Sequence, residues 1–454
     1  MIHMTLAQAA ASMGASPPAP GPLMEFTGCS TDSRTINRDE LFIAIKGDRF
    51  DGHDFIGMAG QRGARAAVVE RKVSAQLPLL LVDNSRQAMG KLARDWRKHF
   101  TVPVIAVTGS NGKTTVKEML VSILRLQAPV LATKGNLNND IGVPLTLFGF
   151  GDEHRYAVIE MGANHPGEIL WLSRITQPTV ALITQCAPAH LEGFGTIEGV
   201  ARAKAEIYTG LDKDGIAVIN ADDNFAGLWR AGTKNLRQIS FGLKGGADVT
   251  AHSIVISAAT GGTDFVLHTP AGEIGVSLQL AGLHNVMNAL AAAACATGLN
   301  IALEVVRDGL QNIKTVKGRL ERKAGFNNST VIDDTYNANP VSLAAALNVV
   351  KPLAGRHWLA LGDMGELGAG AEDLHAEAGR IAKQSGIERL FATGPLSRAA
   401  VSAFGAGAEH FSDVARLVEK VRMEITPNVI ILVKGSRAMQ MERVVRGLEV
   451  NGTC

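Results

Sequence analysis

The sequence predicts a three-domain α/β protein: a small N-terminal α/β domain, a central parallel-sheet domain built around a phosphate loop, and a C-terminal α/β domain. Three observations carry this expectation. A chain of 454 residues is long enough for about three domains at roughly 150 residues each. From Val102 onward, short apolar runs alternate with helix-length segments, the pattern of a parallel sheet covered on both faces. Within that pattern, PVIAVTGSNGKTTVKEML (103–120) passes from an apolar strand through a Gly-rich loop into a helix.

Taken in order, residues 1–100 open with a short helical stretch. They continue with the apolar runs LFIAI, AAVVE and LPLLLV between Gly and Asp turns, and end in the helical pattern QAMGKLARDWRKHF. Strands of the central unit (101–313) are expected at VPVIAVTG, YAVIEMG, PTVALITQ and GIAVINADD, followed by a sheet-rich stretch over 237–280 and an Ala-rich helix over 284–298. The chain restarts near TVKGRLER, and 314–454 carries strands at STVIDDTY, HWLALGDMG, RLFATG and NVIILVKGS. No repeat of 20–50 residues and no low-complexity tract interrupts this plan.

Composition narrows the function class. Lys plus Arg number 45 against 43 for Asp plus Glu, so no polycationic surface for nucleic acid is implied. Cys29, Cys186, Cys295 and Cys454 are far apart with no C-x-x-C pair, which suggests neither a disulfide framework nor a cysteine zinc site and fits a reducing cytoplasm. The opening MIHMTLAQAAASMGASPPAP has no basic residue before its apolar part, which Gln8 interrupts, so it reads as a helix and not a leader. No run reaches the roughly 18 apolar residues of a membrane span.

The generic phosphate loop is G-x-x-x-x-G-K-[ST], yet Val107 stands where its first glycine belongs. The rest is present: Gly109, Ser110, Asn111, Gly112, Lys113, Thr114 and Thr115. Glycines let backbone N–H groups approach phosphate, a helix N-terminus favours its charge, Lys113 can reach the β- and γ-phosphates, and Thr114 can ligate Mg²⁺. The alternative is an ordinary Gly-rich strand-to-helix turn, and ATP binding is the favoured reading.

Other positions stay ambiguous when read singly. Glu160 ends an apolar strand, where it could hold Mg²⁺ or be a solvated turn residue. His190, in APAHLEGFG, is equally a ligand or an exposed histidine. Lys204 reads as a surface lysine on a helix. IDDTYNANPVSL (332–343) is either an Asx-type turn before a helix or a ligand loop. STDSRTI (30–36) and LVKGSR (432–437) can be a turn and a strand end.

Together, in order along nearly the whole chain, TDSR (31–34), TGSNGKTT (108–115), NLNNDIGVP (136–144), EMGANHPGEI (160–169), AHLEGFG (189–195), AKAEI (203–207), GLHNVMNALAAAA (282–294), GRLE (318–321), DDTYNANP (333–340), LGDMGELG (361–368) and VKGSR (433–437) resemble the Mur ligase family. These are the ATP-dependent amide-forming enzymes of peptidoglycan precursor synthesis. Their phosphate loop is the short G-x-x-G-K-[ST] form, so Val107 is expected. YNANP and NLNNDIGVP resemble the member that joins D-alanyl-D-alanine to UDP-N-acetylmuramoyl-tripeptide, and the Asp-Asn-Pro-Arg string of the third-step ligase is absent. Folylpolyglutamate synthases share the loop but not YNANP. A non-catalytic P-loop module is the reading from another class.

The resemblance implies a Rossmann-like C-terminal domain that closes over ATP, a monomeric cytoplasmic enzyme, and two Mg²⁺ ions. It implies that Lys113 and Thr114 meet phosphate and Mg²⁺, that Glu160 and His190 hold metal, and that Lys204 is carbamylated by CO₂ to become an anionic ligand. Ala205 stands where relatives more often have glycine. Asn285, Arg319, Asp334 and Tyr336 are expected near ATP. Ser33 and Arg34 are expected on the uridine nucleotide, Asn138 and Asn139 toward the muramoyl peptide, Asn337 and Asn339 in a substrate loop, and Lys434, Ser436 and Arg437 near the incoming dipeptide.

Overall fold

The computed structural model describes residues 1–17, 21–47, 50–188, 191–257, 262–314 and 316–450. Near the N-terminus, Cys29–Ser30, Leu41–Ile43, Ala66–Val69 and Leu79–Leu81 line up in that order as a parallel sheet. The expected helix runs Ser85–Arg97; the Asn84 side chain accepts from Gln87 N at 2.9 Å and caps it. Its buried Ala88, Met89, Leu92 and Ala93 form one apolar stripe. An antiparallel pair, His3–Thr5 with Glu25–Thr27, was not legible in the sequence, because each three-residue strand buries a single side chain.

The central sheet has six parallel strands in the order Arg237–Phe241, Ile216–Asn220, Val180–Ile183, Val104–Thr108, Tyr156–Glu160, Val130–Ala132. Residues of Val104–Thr108 alternate between two cores. Val104 and Ala106 pack with Ile2, Leu6 and Leu92 of the N-terminal layer, while Ile105 and Val107 pack with Val116, Leu120 and the Ala291–Ala294 run. Burial on both faces is why these strands read as continuous apolar runs. After Val104–Thr108 the chain goes to the edge strand Val130–Ala132, returns to Tyr156–Glu160 beside it, and then crosses to the other side. The switch point lies at the carboxyl end of that strand, between Glu160 and Thr184, where α/β sheets bind ligands.

The sheet-rich stretch over 237–280 divides. Arg237–Phe241 completes the central sheet, while Thr250–Ile256, Thr263–Thr269 and Gly272–Leu278 form a separate antiparallel sheet. The Ala-rich helix, Leu283–Gly298, is buried along most of its length.

In the C-terminal part, Glu321–Gly325, Ser329–Asp334, Val429–Lys434, Arg356–Gly362, Arg389–Thr393 and Ala408–Phe411 form a second six-stranded sheet, parallel except for the first strand. Its register places Asp334 opposite Lys434 at the carboxyl ends. The whole is a three-domain α/β architecture. Among the described residues no helix is long and apolar enough to cross a membrane.

Candidate active site

A cavity of about 2100 Å³ opens between the central and C-terminal sheets and reaches the helix Ser85–Arg97. Its floor is the Gly-rich loop. The helix Lys113–Arg125 starts at Gly112, whose φ of 84° is left-handed; a Cβ there would stand 2.4 Å from Asn288 Oδ1. Ser110 Oγ donates to Ala187 O at 3.0 Å, and Thr184 Oγ1 donates to Asn111 O at 2.6 Å, so the loop is braced by the strand beside it. Lys113 Nζ donates to Gly109 O at 2.6 Å. Burial pushes the Lys113 ammonium below its ordinary range, opposed by the Glu160 carboxylate and assisted by Arg319. Ser110 through Thr115 line the cavity; Gly109 sits beneath them.

Glu160 and Lys204 both line the cavity, and neither is a solvated surface residue. Glu160 is 1 % exposed; its Oε1 accepts from Asn138 Nδ2 at 2.8 Å, while Oε2 is buried with no partner. Lys204 is 3 % exposed, and no hydrogen bond or ion pair reaches its ammonium among the described residues. Burial, with the charge of Lys113 adding to it and Cys186 opposing, brings Lys204 down to about 7. A divalent cation fits this chemistry. It would satisfy the orphaned Glu160 oxygen, with Thr114 beside it in the cavity wall, whereas a charged Lys204 would repel it. His190 lies outside the described residues. Among those described, no three His, Cys, Asp or Glu side chains converge.

The opposite wall comes from the C-terminal part. Arg319 Nη2 donates to Thr114 Oγ1 at 3.4 Å, and its guanidinium stacks 4.2 Å from the Tyr336 ring centroid. Asn339 caps the helix Pro340–Val350, accepting from Ser342 N at 2.8 Å, and its Nδ2 donates to Asn111 Oδ1 at 2.8 Å. Asn339→Ala is therefore expected to cost about 1–2 kcal/mol of stability, as a lost cap and tie, measurable by urea denaturation.

Lys434, 2 % exposed, is paired with Asp334 and donates to Asn337 O at 3.0 Å, so its ammonium is engaged within the C-terminal sheet and anchors the YNANP loop. Asn337 Oδ1 is taken by Ala338 N at 2.9 Å. Ser436 N donates to Asp363 O at 2.9 Å, and Arg437, largely exposed, pairs with Glu442 at 3.2 Å. All of these except Asp363 line the cavity.

Asn138 and Asn139 line the same cavity; Ser33 and Arg34 do not. Ser33 is buried against Met58, and Arg34 pairs with Asp32 at 2.7 Å. Asn285 is fixed by Ala281 O at 2.8 Å and by Asn288 Nδ2 at 3.1 Å.

Two further groups escaped sequence reasoning. His284 stands in the wall, and burial pushes it down to about 4, opposed by Asp334 and assisted by Lys434, so it is neutral near pH 7. Its place beside Asn285 in GLHNVMN was the available signal. The other is Arg86, 2.9 Å from Asp140, both in the cavity lining, for which the sequence offered no signal.

Comparison with known proteins matches three family models in chain order: Mur ligase family, catalytic domain (25–97); Mur ligase middle domain (107–296); and Mur ligase, glutamate ligase domain (318–437). The chain belongs to the Mur ligase family. It is 43 % identical to the UDP-N-acetylmuramoyl-tripeptide–D-alanyl-D-alanine ligase of Escherichia coli K12, over all of both chains. A solved Acinetobacter baumannii structure, named as the UDP-N-acetylmuramoylalanyl-D-glutamyl-2,6-diaminopimelate–D-alanyl-D-alanyl ligase, superposes with a TM-score of 0.87 at 37 % identity, covering 98 % of each chain. The Thermotoga maritima MurF ligase in complex with ADP gives 0.82 at 28 % identity, covering 93 % of this chain and 96 % of that one. The Mur ligase models cover the regions that supply the Gly-rich loop, Glu160 and Lys204, and the Arg319–Arg437 wall.

Proposed function

We propose that this chain is the ATP-dependent ligase that joins D-alanyl-D-alanine to UDP-N-acetylmuramoyl-tripeptide, giving the pentapeptide nucleotide, ADP and phosphate. The observation that carries the reading is full-length likeness to a ligase of that name, with the site chemistry assembled in one cavity. A carboxylate is a poor electrophile at neutral pH. The tripeptide's terminal carboxylate attacks the γ-phosphorus, ADP leaves, and the acyl phosphate is then attacked by the dipeptide amine. The tetrahedral intermediate expels phosphate, and the amine's proton passes to solvent.

In this reading 1–100 holds the uridine nucleotide through Ser33 and Arg34, 101–313 holds ATP, and 314–454 closes over it. Lys113 neutralises charge developing on the transferring phosphoryl group, Arg319 braces Thr114 and the nucleotide, and Asn285, Asp334 and Tyr336 border the adenosine. Mg²⁺ bound by Thr114, Glu160, His190 and a carbamate on Lys204 would supply charge neutralisation at the phosphates. The carbamate forms when the neutral Lys204 amine adds CO₂ and releases a proton. Asn138 and Asn139 face the muramoyl peptide, Asn337 and Asn339 shape the loop beside it, and Ser436 and Arg437 meet the dipeptide while Lys434 holds their strand end. Burial of the site keeps water from the acyl phosphate. The enzyme acts as a cytoplasmic monomer, with no nucleic-acid partner.

Phosphate release from Mg-ATP and the tripeptide nucleotide, with D-Ala-D-Ala, D-Ala, L-Ala or no amine, tests the proposal. Release yielding a pentapeptide mass only with D-Ala-D-Ala is expected; release with none of them would reject it.

A further inference from the structure

In the lining of the cavity, Arg86 Nη1 meets Asp140 Oδ2 at 2.9 Å, and the two side chains are 39 % and 37 % exposed. Arg86 is the second residue of the helix Ser85–Arg97, and Asp140 lies on the segment leading into the helix Gly142–Leu147. Asp140 is two residues beyond Asn138, whose amide donates to Glu160 at 2.8 Å, so chain length holds Asp140 within about 7 Å of that position. Arg86 and Asp140 thus line the same cavity as Asn138, Glu160 and the Gly-rich loop.

We infer that Arg86 and Asp140 form the subsite that reads the side chain of the tripeptide's third residue, and that they select a zwitterionic end, as in 2,6-diaminopimelate, over a lysine ammonium. This rests on the ligase reading above. A half-exposed ion pair contributes little to folding, so a ligand carrying the same two charges can replace the internal partners at small cost. The guanidinium fork takes the distal carboxylate through two parallel hydrogen bonds, and Asp140 takes the distal ammonium. A lysine side chain offers only the ammonium. It satisfies Asp140 and leaves Arg86 with no counter-charge. The A. baumannii relative, similar over 98 % of both chains, carries 2,6-diaminopimelate in its name, which supports this choice of occupant.

The test compares two UDP-N-acetylmuramoyl-tripeptides, ending in meso-diaminopimelate or in L-lysine, in D-Ala-D-Ala-dependent phosphate release. Wild type is expected to prefer the diaminopimelate substrate in kcat/KM by about tenfold or more. Arg86→Gln should raise KM for that substrate about ten- to a hundredfold with kcat nearly unchanged, and shift KM for the lysine substrate by less than about threefold. Asp140→Asn should raise KM for both. If the pair were only a strut between helix and loop, Arg86→Gln would weaken both substrates equally, and that result, or a wild type without preference, overturns the subsite. Release with neither tripeptide overturns the ligase reading and the subsite with it.

Discussion

Lys204→Ala is expected to lower D-Ala-D-Ala-dependent phosphate release by about 10³-fold or more, at the upper range for removing one charge-stabilising group from an active site. The side chain is 3 % exposed in a wall shared with Lys113 and Glu160, and as an ammonium it would add a second positive charge where a cation has to sit. In the proposed function, carbamylation would remove that conflict by replacing the cation with a carboxylate-like anion. Small carboxylates such as formate or acetate should therefore restore part of the variant's rate, whereas they should do nothing for wild type. The sign of the pH effect follows from the free base being the species that adds CO₂. Burial lowers Lys204 to about 7, so the reactive amine is present above about pH 7 and is lost to protonation below it. Enzyme stripped of CO₂ at pH 6 should stay inactive there, and bicarbonate should reactivate it with a rate that climbs through pH 7. Full activity of Lys204→Ala without added carboxylate would remove the role.

What could be read from the chain alone depended on whether the chemistry was contiguous. The strand, loop and helix around Gly109–Thr115 occur in one uninterrupted stretch, with the glycines and Lys-Thr at phosphate-loop spacing, so the strand–loop–helix unit was legible. Glu160 was half legible. Its strand was evident, but that its Oε2 would be buried and unpartnered depends on the Tyr156–Glu160 strand lying directly beside Val104–Thr108. Lys204 carried no local sign of burial, because its helix presents charged neighbours, and only the motif order promoted it. Contacts that cross domains had no sequence signal at all. The Arg319–Thr114 and Asn339–Asn111 bonds join residues 205 and 228 positions apart. The same holds for Lys434, which the sequence placed only at a strand end. The parallel register with Ser329–Asp334 instead turns it onto Asp334 and makes it an anchor for the YNANP loop.

Gly109→Ala should be strongly damaging for a single added methyl. Two independent effects act at this position. The backbone φ of +150° lies in a region that residues with a Cβ rarely adopt, and the added Cβ would stand 1.8 Å from Thr184 Oγ1 and 3.2 Å from Thr184 N. Strain and overpacking together cost roughly 2–5 kcal/mol, which the loop can escape only by moving. Movement carries function with it. Thr184 Oγ1 holds Asn111 O at 2.6 Å, and Lys113 Nζ rests on Gly109 O at 2.6 Å, so a shift of either strand end displaces the phosphate-facing lysine. A displacement near 1 Å is enough for about a hundredfold loss in rate. ATP with Mg²⁺ should raise the melting temperature of wild type and leave that of Gly109→Ala almost unchanged. Adding Thr184→Ala removes the 1.8 Å clash, and with it the bond to Asn111 O, while leaving the φ strain, so the double variant is read against Thr184→Ala alone and should regain part of its ATP-induced stabilisation but not all of it. If the double variant falls as far below Thr184→Ala as Gly109→Ala falls below wild type, the backbone conformation and not the hydroxyl clash is responsible; if Gly109→Ala already behaves as wild type, the loop is not held as tightly as these contacts require.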